Sequence, residues 1–452
     1  MSGKITVVGL GPGDPSLRTL GTQHALGNAT RIVLRTRVHP GIEDVLDDPR
    51  VSSCDDLYEK LSDFERVYQA IAERVIDVAR NGDVVFAVPG HPLFGERSVQ
   101  VILKRAQETK IDTQVLDAVS AIDTIVTALG FDPLSDEVQI LDGESLQEIW
   151  EIEPFSGGQL AVDPTRPCLI TQLYSKRIAS HAKLALAHLY PEDHEIKVIS
   201  ASGIPGVETE IRCRLHELDH QKIDHLTSAY VPALPELGSF KTASAVERIV
   251  ARLRAPGGCP WDRKQDHKSL RGAVLEEAYE VVDAIDEDDP FQLAEELGDL
   301  FLLIAMHSQI AHESAAFSLE DVFEQVSRKL IRRHPHVFGD AVAETPDQVV
   351  TTWEGVKKAE RSDRGHREVS HPYDRLPKSM PVLTKLSEVM KMSTQIQETE
   401  SRSRDDLGTT LFDAVRAMIS AGLDPEQELE RMARQRFDPS EVRDDRLESE
   451  RT

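Results

Sequence analysis

The chain lacks the features that would commit it to a membrane, a secreted scaffold or a nucleic-acid polymer. It holds four cysteines in 452 residues. These are Cys54, Cys168, Cys213 and Cys259, with no Cys-x-x-Cys spacing among them. That pattern excludes a disulfide framework and a zinc knuckle and predicts reduced thiols. No stretch approaches about 18 uninterrupted apolar residues, and the opening MSGKITVVGLGPGD has no apolar signal core, so a cytoplasmic protein is expected. Positive charge is also short. The 52 Lys+Arg stand against 78 Asp+Glu, a formal charge of −26. Such a surface argues against nucleic-acid polymers and membranes, which need a basic face. A small phosphorylated ligand remains open, held by a local basic pocket or a metal.

With 40% hydrophobic and 29% charged residues, the composition is that of a soluble globular protein. The length suggests about two or three domains. The first part alternates strand and helix patterns. Ile5–Val8, Ile32–Leu34, Val84–Val88, Leu169–Gln172 and Ile196–Ile199 read as strands, with helices such as Glu65–Arg80 and Ser98–Glu108 between some of them. That alternation predicts an α/β sheet covered by helices. From Ala243 to His312, and again over Leu319–Arg333, the apolar period is helical. The Pro- and Gly-rich VPALPELGS, Val231–Ser239, reads as a hinge between the two parts.

The strand KITVVG runs into Gly9-Leu10-Gly11-Pro12-Gly13-Asp14-Pro15. Glycines at alternate positions let a backbone turn closely beneath a ligand. No Gly-Lys-Ser/Thr follows, so this is not a Walker loop, and the next strand, RIVLRTR, ends in basic residues where an NAD site wants an acid. Three later segments add to it: Gly90-His91-Pro92 after a strand, Ala118-Val119-Ser120-Ala121 before a helix, and TQLYSKRIASHAKLAL with ISASGIPG after it.

In this order the segments resemble the tetrapyrrole methylase superfamily, closest to its YabN-like branch, in which such a domain is fused to a second enzyme. The likeness covers about residues 3–225. It implies an S-adenosylmethionine cleft between two α/β subdomains, lined by Gly9, Gly11, Gly13 and Asp14, by Gly90, His91 and Pro92, and by Ser120, Ala201, Gly203 and Ile204. At His91 the chain departs from the Gly-Asp-Pro of many relatives.

The second half carries a carboxylate constellation. In LEEAYE, on a helix expected over about Leu270–Asp286, Glu276, Glu277 and Glu280 fall within about 100° of one another, beside the apolar face. The following FQLAEELGDLFLLIAMHSQIA sets Glu296 and Asp299 in a helix that is apolar nearly all round. Buried there, each charge costs several kcal/mol unless something positive compensates. A hard divalent cation held by oxygens from two helices removes the conflict, and Mg²⁺ suits carboxylate, water and phosphate together. A solvated acidic face is the alternative for the first helix taken alone.

The spacing Glu276-Glu277-x-x-Glu280 then Glu296-x-x-Asp299 resembles the MazG family of all-α nucleoside triphosphate pyrophosphohydrolases. The likeness extends over about residues 240–360. Upstream, GGCPWDRKQDHKSLR places Trp261, Asp262 and Gln265 at the family's positions; downstream stand RKLIRRHPHVFGD and Trp353-Glu354-x-x-Lys357. The resemblance implies Glu277, Glu280, Glu296 and Asp299 as Mg²⁺ ligands and Glu276 or Glu277 as general base. Lys329, Arg332, Arg333 and Lys357 can neutralise triphosphate oxygens, and Trp261 or Trp353 can stack on a base. The bland alternatives are an Arg pair that complements a helix C-terminus and tryptophans that are core. The family tends to dimerise, which implies a homodimer through this domain.

Asp406-Leu407-Gly408-Thr409-Thr410-Leu411-Phe412 echoes the Glu296–Phe301 run with Thr409 where Asp299 stood, and resembles a degenerate second copy that binds no catalytic metal.

The expected architecture is multidomain: an α/β methylase-like domain (1–230), a linker (231–242) and an all-α MazG-like domain (243–360), then a flexible connector (361–378), a degenerate repeat (379–438) and a disordered tail (439–452). The expected function is Mg²⁺-dependent hydrolysis of a nucleoside triphosphate to monophosphate and pyrophosphate. The alternatives are an S-adenosylmethionine-dependent methyltransferase with a MazG appendage and a non-catalytic interaction protein.

Overall fold

The computed structural model describes residues 3–61, 63–151, 160–349, 352–353, 355–356, 376–385 and 404–436. Two compact units divide between Leu319 and Glu320. The α/β half and the first helices beyond it share the first unit.

That unit opens with β1 (Ile5–Gly9), α1 (Leu20–Asn28), β2 (Ile32–Leu34), α2 (Glu43–Leu46), β3 (Val51–Ser53), α3 (Asp55–Lys60), α4 (Phe64–Arg80), β4 (Val84–Val88), α5 (Arg97–Thr109) and β5 (Thr113–Val115). The five strands form one parallel sheet in the order β3-β2-β4-β1-β5. A parallel sheet needs both faces covered, and VVFAV of β4 is buried at every position. On one face α4 and α5 seal a core built on Phe86, Ile71, Val75 and Ile102. Asp63 caps α4 through the amides of Glu65 and Arg66, which fixes where that helix begins.

A second sheet follows from α6 (Ala121–Leu129), β6 (Gln139–Asp142), α7 (Gly143–Glu151), β7 (Cys168–Thr171), α8 (Lys176–Ala187), β8 (Glu195–Ser200), β9 (Thr209–Arg214) and β10 (Thr227–Val231). Its order is β6-β7-β10-β8-β9, parallel only between β6 and β7 and antiparallel elsewhere. Tyr190 and the apolar face of α8 fill its core. Cys54, Cys168 and Cys213 are buried and Cys259 half-buried, all as free thiols. Burial pushes the Cys54 and Cys213 thiols up to about 11 and Cys168 up to about 12, where none is a nucleophile at neutral pH.

The stretch expected to be a hinge is instead pinned. Leu234 and Ser239 are buried, the Leu234 amide donates to Pro164 O at 2.7 Å, and Lys241 Nζ reaches Ala187 O at 2.9 Å. Proline and glycine set its path, and packing against the second sheet removes its freedom. Beyond it lie α9 (Ala243–Arg254), α10 (Arg271–Asp286) and α11 (Pro290–Glu313). They share a core of Val250, Leu270, Leu303, Ala305 and Met306.

The second unit, taken by itself, holds α12 (Leu319–Arg333), which starts at the division, a short helix Pro335–Phe338, and two helices at Arg404–Ser420 and Pro425–Arg436. Val382 and Ala433 make a small core there. The expected tail, 439–452, and all but the last three residues of the expected connector lie outside the described residues.

Central burial should dominate stability. Phe86→Ala empties the middle of the first core and should cost about 3–5 kcal/mol. Leu134→Ala, at a side chain 89% exposed, should stay within about 0.5 kcal/mol of the parent. Urea titration of both variants checks this contrast, and equal losses would show that the sheet core is not where the stability resides.

Candidate functional site

Two sites emerge in the first unit. The first is the helix hairpin of α10 and α11. α10 carries Glu277 and Glu280 one turn apart. A short turn through Asp288, at φ +56°, leads to α11, where Asp289 caps the new helix by accepting the amides of Phe291 and Gln292. This brings Glu296 against the α10 pair. One carboxylate oxygen from each of Glu277, Glu280 and Glu296 lies within 4.8 Å of the others.

Among the described residues, the charges that act most on Glu277 and Glu296 are all those of other acids. Burial, followed by contact with the Glu280 carboxyl and the charges of Glu280, Asp299 and Glu296, holds Glu277 above the usual carboxylate range. Burial, then Glu280, Glu295 and Asp299, does the same for Glu296. The donor set is oxygen only, which fits a hard cation. Octahedral Mg²⁺ places adjacent ligand oxygens about 3 Å apart, within reach of small rotamer changes here.

Glu276 and Asp299 are exposed and stand outside the group of three, although the charge of Asp299 is felt at both raised glutamates. The burial anticipated for α11 needs correction. Glu296 is only half-buried and Asp299 is exposed, because α9 and α10 cover one side of the helix and leave Leu297 49% and Ile304 40% exposed. A cation there would relieve both the cost of burial, the larger cause at Glu277 and Glu296, and their mutual repulsion.

The loop before α10 is clamped from behind. Arg254 pairs with Glu313 through two nitrogens, each at 2.8 Å, and donates to the carbonyls of Asp262 and Gln265. Trp261 on this loop is 63% exposed. His267 and His307 meet at 2.8 Å between Nδ1 atoms, so one ring donates and the other accepts.

The other expected residues lie in the second unit. Lys329 and Arg332 are exposed and Arg333 half-buried, all in the last two turns of α12. Trp353 packs edge-on against His334, centroids 5.3 Å apart, as a packing residue would. Lys357 lies outside the described residues.

The second site is a cleft of about 1240 Å³ at the C-terminal ends of the first sheet's strands, walled on its far side by the second sheet. Of the glycine loop, Pro12 reaches its lining. Gly11 and Gly90 bridge through both of their amides, at 3.3 and 2.8 Å. A Cβ on Gly9 would lie 2.2 Å from Gly90 O, and one on Gly13, already at φ +134°, 2.7 Å from Ile204. Gly203 touches the α6 helix at Thr124 in the same way. The four segments singled out in the sequence therefore converge.

Their roles at the surface differ. Gly90, His91, Ser120 and Ala201 line the cleft. Gly9, Gly11, Gly13, Asp14, Pro92, Gly203 and Ile204 are not among its lining residues. Asp14 caps the short helix at Pro15, and the Ser120 hydroxyl is engaged in a capping box with Asp123. Ala201 at φ +55° and Gln172 at φ +60°, both lining the cleft, are held in a left-handed conformation that non-glycine residues rarely adopt.

Sequence reading missed the cleft's charged floor. Arg35, directly after β2, pairs with the buried Glu96 at 3.3 Å, and Ser98 donates to the same carboxylate at 2.7 Å. Burial raises the Glu96 carboxyl. His39 is buried and donates from Nε2 to Gly11 O at 3.0 Å; burial pushes it down to about 4, so the ring is neutral at physiological pH. An arginine at the end of RIVLRTR was the available signal; the position of Glu96 only becomes meaningful once β2 and β4 are adjacent.

Comparison with known proteins follows the same division. The family model for Tetrapyrrole (Corrin/Porphyrin) Methylases matches residues 4–219, and that for the MazG nucleotide pyrophosphohydrolase domain matches 265–338. The uncharacterized protein YabN of Bacillus subtilis is 37% identical over 394 residues, 86% of this chain and 77% of that protein. The MazG nucleoside triphosphate pyrophosphohydrolase of Thermotoga maritima is 43% identical over 154 residues, 34% of this chain and 54% of its own. The nucleoside triphosphate pyrophosphohydrolase of Escherichia coli K12 is 38% identical over 149 residues, 33% of this chain. This chain thus spans little more than half of either hydrolase. A crystal structure of uroporphyrin-III-C-methyltransferase from Thermus thermophilus covers 51% of this chain and 93% of its own at TM-score 0.39 and 20% identity.

The raised glutamates make a signed prediction. Their folded pKa values lie above the unfolded ones, so their contribution to the metal-free protein is complete below about pH 4 and lost as pH rises through the raised values. Added Mg²⁺ should therefore raise the melting temperature more at about pH 8 than at about pH 5, by about 2–4 °C for each kcal/mol of binding. Differential scanning calorimetry at both pH values checks it; an equal shift at both would sink the assignment.

Proposed function

Because the chain belongs to the YabN-like family, a tetrapyrrole methylase domain fused to a MazG domain, we propose that it is a Mg²⁺-dependent nucleoside triphosphate pyrophosphohydrolase, cutting between the α and β phosphates to release monophosphate and pyrophosphate. The observation that carries this reading is the meeting of Glu277, Glu280 and Glu296, whose ligand oxygens lie within 4.8 Å of one another. Such a group is poorly stable empty and well suited to a hard ion.

Bound there, Mg²⁺ would polarise phosphate oxygens and lower the pKa of a coordinated water. Glu277, Glu280 and Glu296 would hold the ion from two helices, and Asp299, a turn further along α11, would extend the set. Glu276 sits outside the triad and exposed, so it can take the proton of an attacking water without leaving a ligand position. Glu277 is the second candidate for that role. Lys329, Arg332, Arg333 and Lys357 are the proposed phosphate contacts, with arginine suited to bidentate pairing. Trp261, exposed on a loop that Arg254 holds still, is the better placed of the two tryptophans to stack on a base.

For the first half of the chain we propose an S-adenosylmethionine-type ligand in the cleft between its two sheets. The support is the bridge between Gly11 and Gly90 and the contact of Gly13 with Ile204, which bring the expected segments to one edge. A homodimer is proposed through the helical part. Phe291 is 87% exposed, and Leu275, Val282 and Ile285 lie open on α10, an apolar surface in search of cover. No described helix is long and apolar enough to cross a membrane.

Glu280→Gln and Asp299→Asn should each lower Mg²⁺-dependent pyrophosphate release by about 100-fold or more, with unchanged circular dichroism. The assay is run across ordinary and damaged nucleoside triphosphates, and release at the parent rate by both variants would refute the site. Light scattering of the full chain should report a dimer that Phe291→Asp weakens toward monomer. A parent protein that is monomeric at assay concentration would contradict the proposed interface.

A further inference from the structure

We propose that the cleft of the methylase-like domain binds an organic cation of the amine class rather than a polycarboxylated ring, an inference that rests on reading this cleft as the domain's ligand site. Six carboxylates line it: Asp55, Asp63, Glu65, Glu96, Asp142 and Glu144. Against them stand two guanidiniums, Arg35 and Arg97. Both are already engaged, Arg35 with Glu96 at 3.3 Å and Arg97 with Glu65 at 3.7 Å. A ligand bearing several carboxylates would find no uncommitted guanidinium in this lining and would face the remaining acids as like charges.

Those remaining acids are oriented by hydroxyl and amide donors. Asp55 accepts the Thr36 hydroxyl at 2.6 Å and the Arg37 amide, Asp63 the Glu65 amide, and Asp142 the Glu144 amide at 3.0 Å. Glu144 accepts the Tyr174 hydroxyl at 3.1 Å. Among the described residues Arg66 Nε stands 3.9 Å from Asp63, while the contacts to Asp55, Asp142 and Glu144 supply no positive charge.

Beside them runs an aromatic wall. Phe64, 43% exposed, has the ring centres of Tyr58, Tyr68 and Tyr174 at 6.5, 6.3 and 6.1 Å. The wall already carries one cation: the Arg35 guanidinium lies 5.7 Å over the Tyr58 ring. Glu144 bonds Tyr174, and its charge is felt at Tyr68. An ammonium placed at Glu144 therefore meets a carboxylate and aromatic rings together, the combination that recognises alkylated amines. The left-handed Gln172 and Ala201 mark the same cavity as one the fold holds under strain.

The test uses the full chain and three probes in titration calorimetry: benzyltrimethylammonium, uroporphyrin III (an octacarboxylate) and S-adenosylhomocysteine. Benzyltrimethylammonium should bind the parent and bind Glu144→Gln at least tenfold more weakly. Tyr174→Phe, which keeps the ring but frees Glu144, should lose less, about threefold. Uroporphyrin III should give no heat over the same range. Binding of uroporphyrin III as tight as that of the cation, or cation affinity unchanged in Glu144→Gln, overturns the proposal. The S-adenosylhomocysteine titration separates the two ideas. Heat from it without cation binding sinks the cation site and leaves the methylase reading, while cation binding without it does the reverse.

Discussion

The like-charge repulsion at the α10–α11 hairpin is the constraint on which the rest of the helical site depends. Glu277, Glu280 and Glu296 are brought within 4.8 Å by a short turn and a well-capped helix start, not by attraction to one another. The packing of Val250, Leu270, Leu303 and Met306 on the other side forces that approach. Hydrophobic burial thus holds three carboxylates where electrostatics alone would separate them, a repulsion that a bound cation would relieve. This is why the group reads as a site, whereas acids elsewhere on the surface do not.

The cleft of the first domain solves a related problem differently. Glu96 is 7% exposed, a burial that would be costly for an isolated carboxylate. Arg35 and Ser98 answer it inside the protein, so that pair is neutral and needs no ligand. Nearer the opening, Asp63 and Glu65 have Arg66 and Arg97 beside them, while the contacts to Asp55, Asp142 and Glu144 are hydroxyls and amides, which orient a carboxylate without cancelling its charge. One unit therefore contains both outcomes: a buried acid neutralised by the fold, and exposed acids left for something else to meet.

Much of this was legible in the sequence, and what was not has a common cause. The strands found in advance, β1, β2, β4, β7 and β8, are short apolar runs buried in the sheet cores. Those not anticipated, β3, β5, β6, β9 and β10, include edge strands of mixed polarity such as TEIRCR, largely exposed, where periodicity fades. The acid spacing was readable because it lies within single helices, where i and i+3 fix a face. The depth of burial at Glu296 was not, because an all-round apolar helix does not say which of its faces this chain covers. Arg35, Glu96, Tyr174 and Glu144 were invisible for a topological reason: they come from four segments that meet only after two sheets form. Lys241 and Leu234, which turn an expected hinge into a pinned connection, belong to the same class.

The formal charge of −26 takes on a different meaning once each acid is sorted by what answers it. Residues 271–300 hold one base and eleven acids, which at first sight is one acidic patch. Yet Asp289 is consumed by the amides that begin α11, where a negative charge is favoured by the helix dipole. Asp286, Glu287 and Asp288 lie in or beside the solvent-exposed turn, where water screens them. Of the seven that are left, Glu277, Glu280 and Glu296 face one another across two helices. The same sorting in the cleft leaves Glu144, joined to a tyrosine, and its neighbours. A net charge describes how the molecule meets a long polyanion; the unanswered acids, few and local, decide which small ligands it can hold.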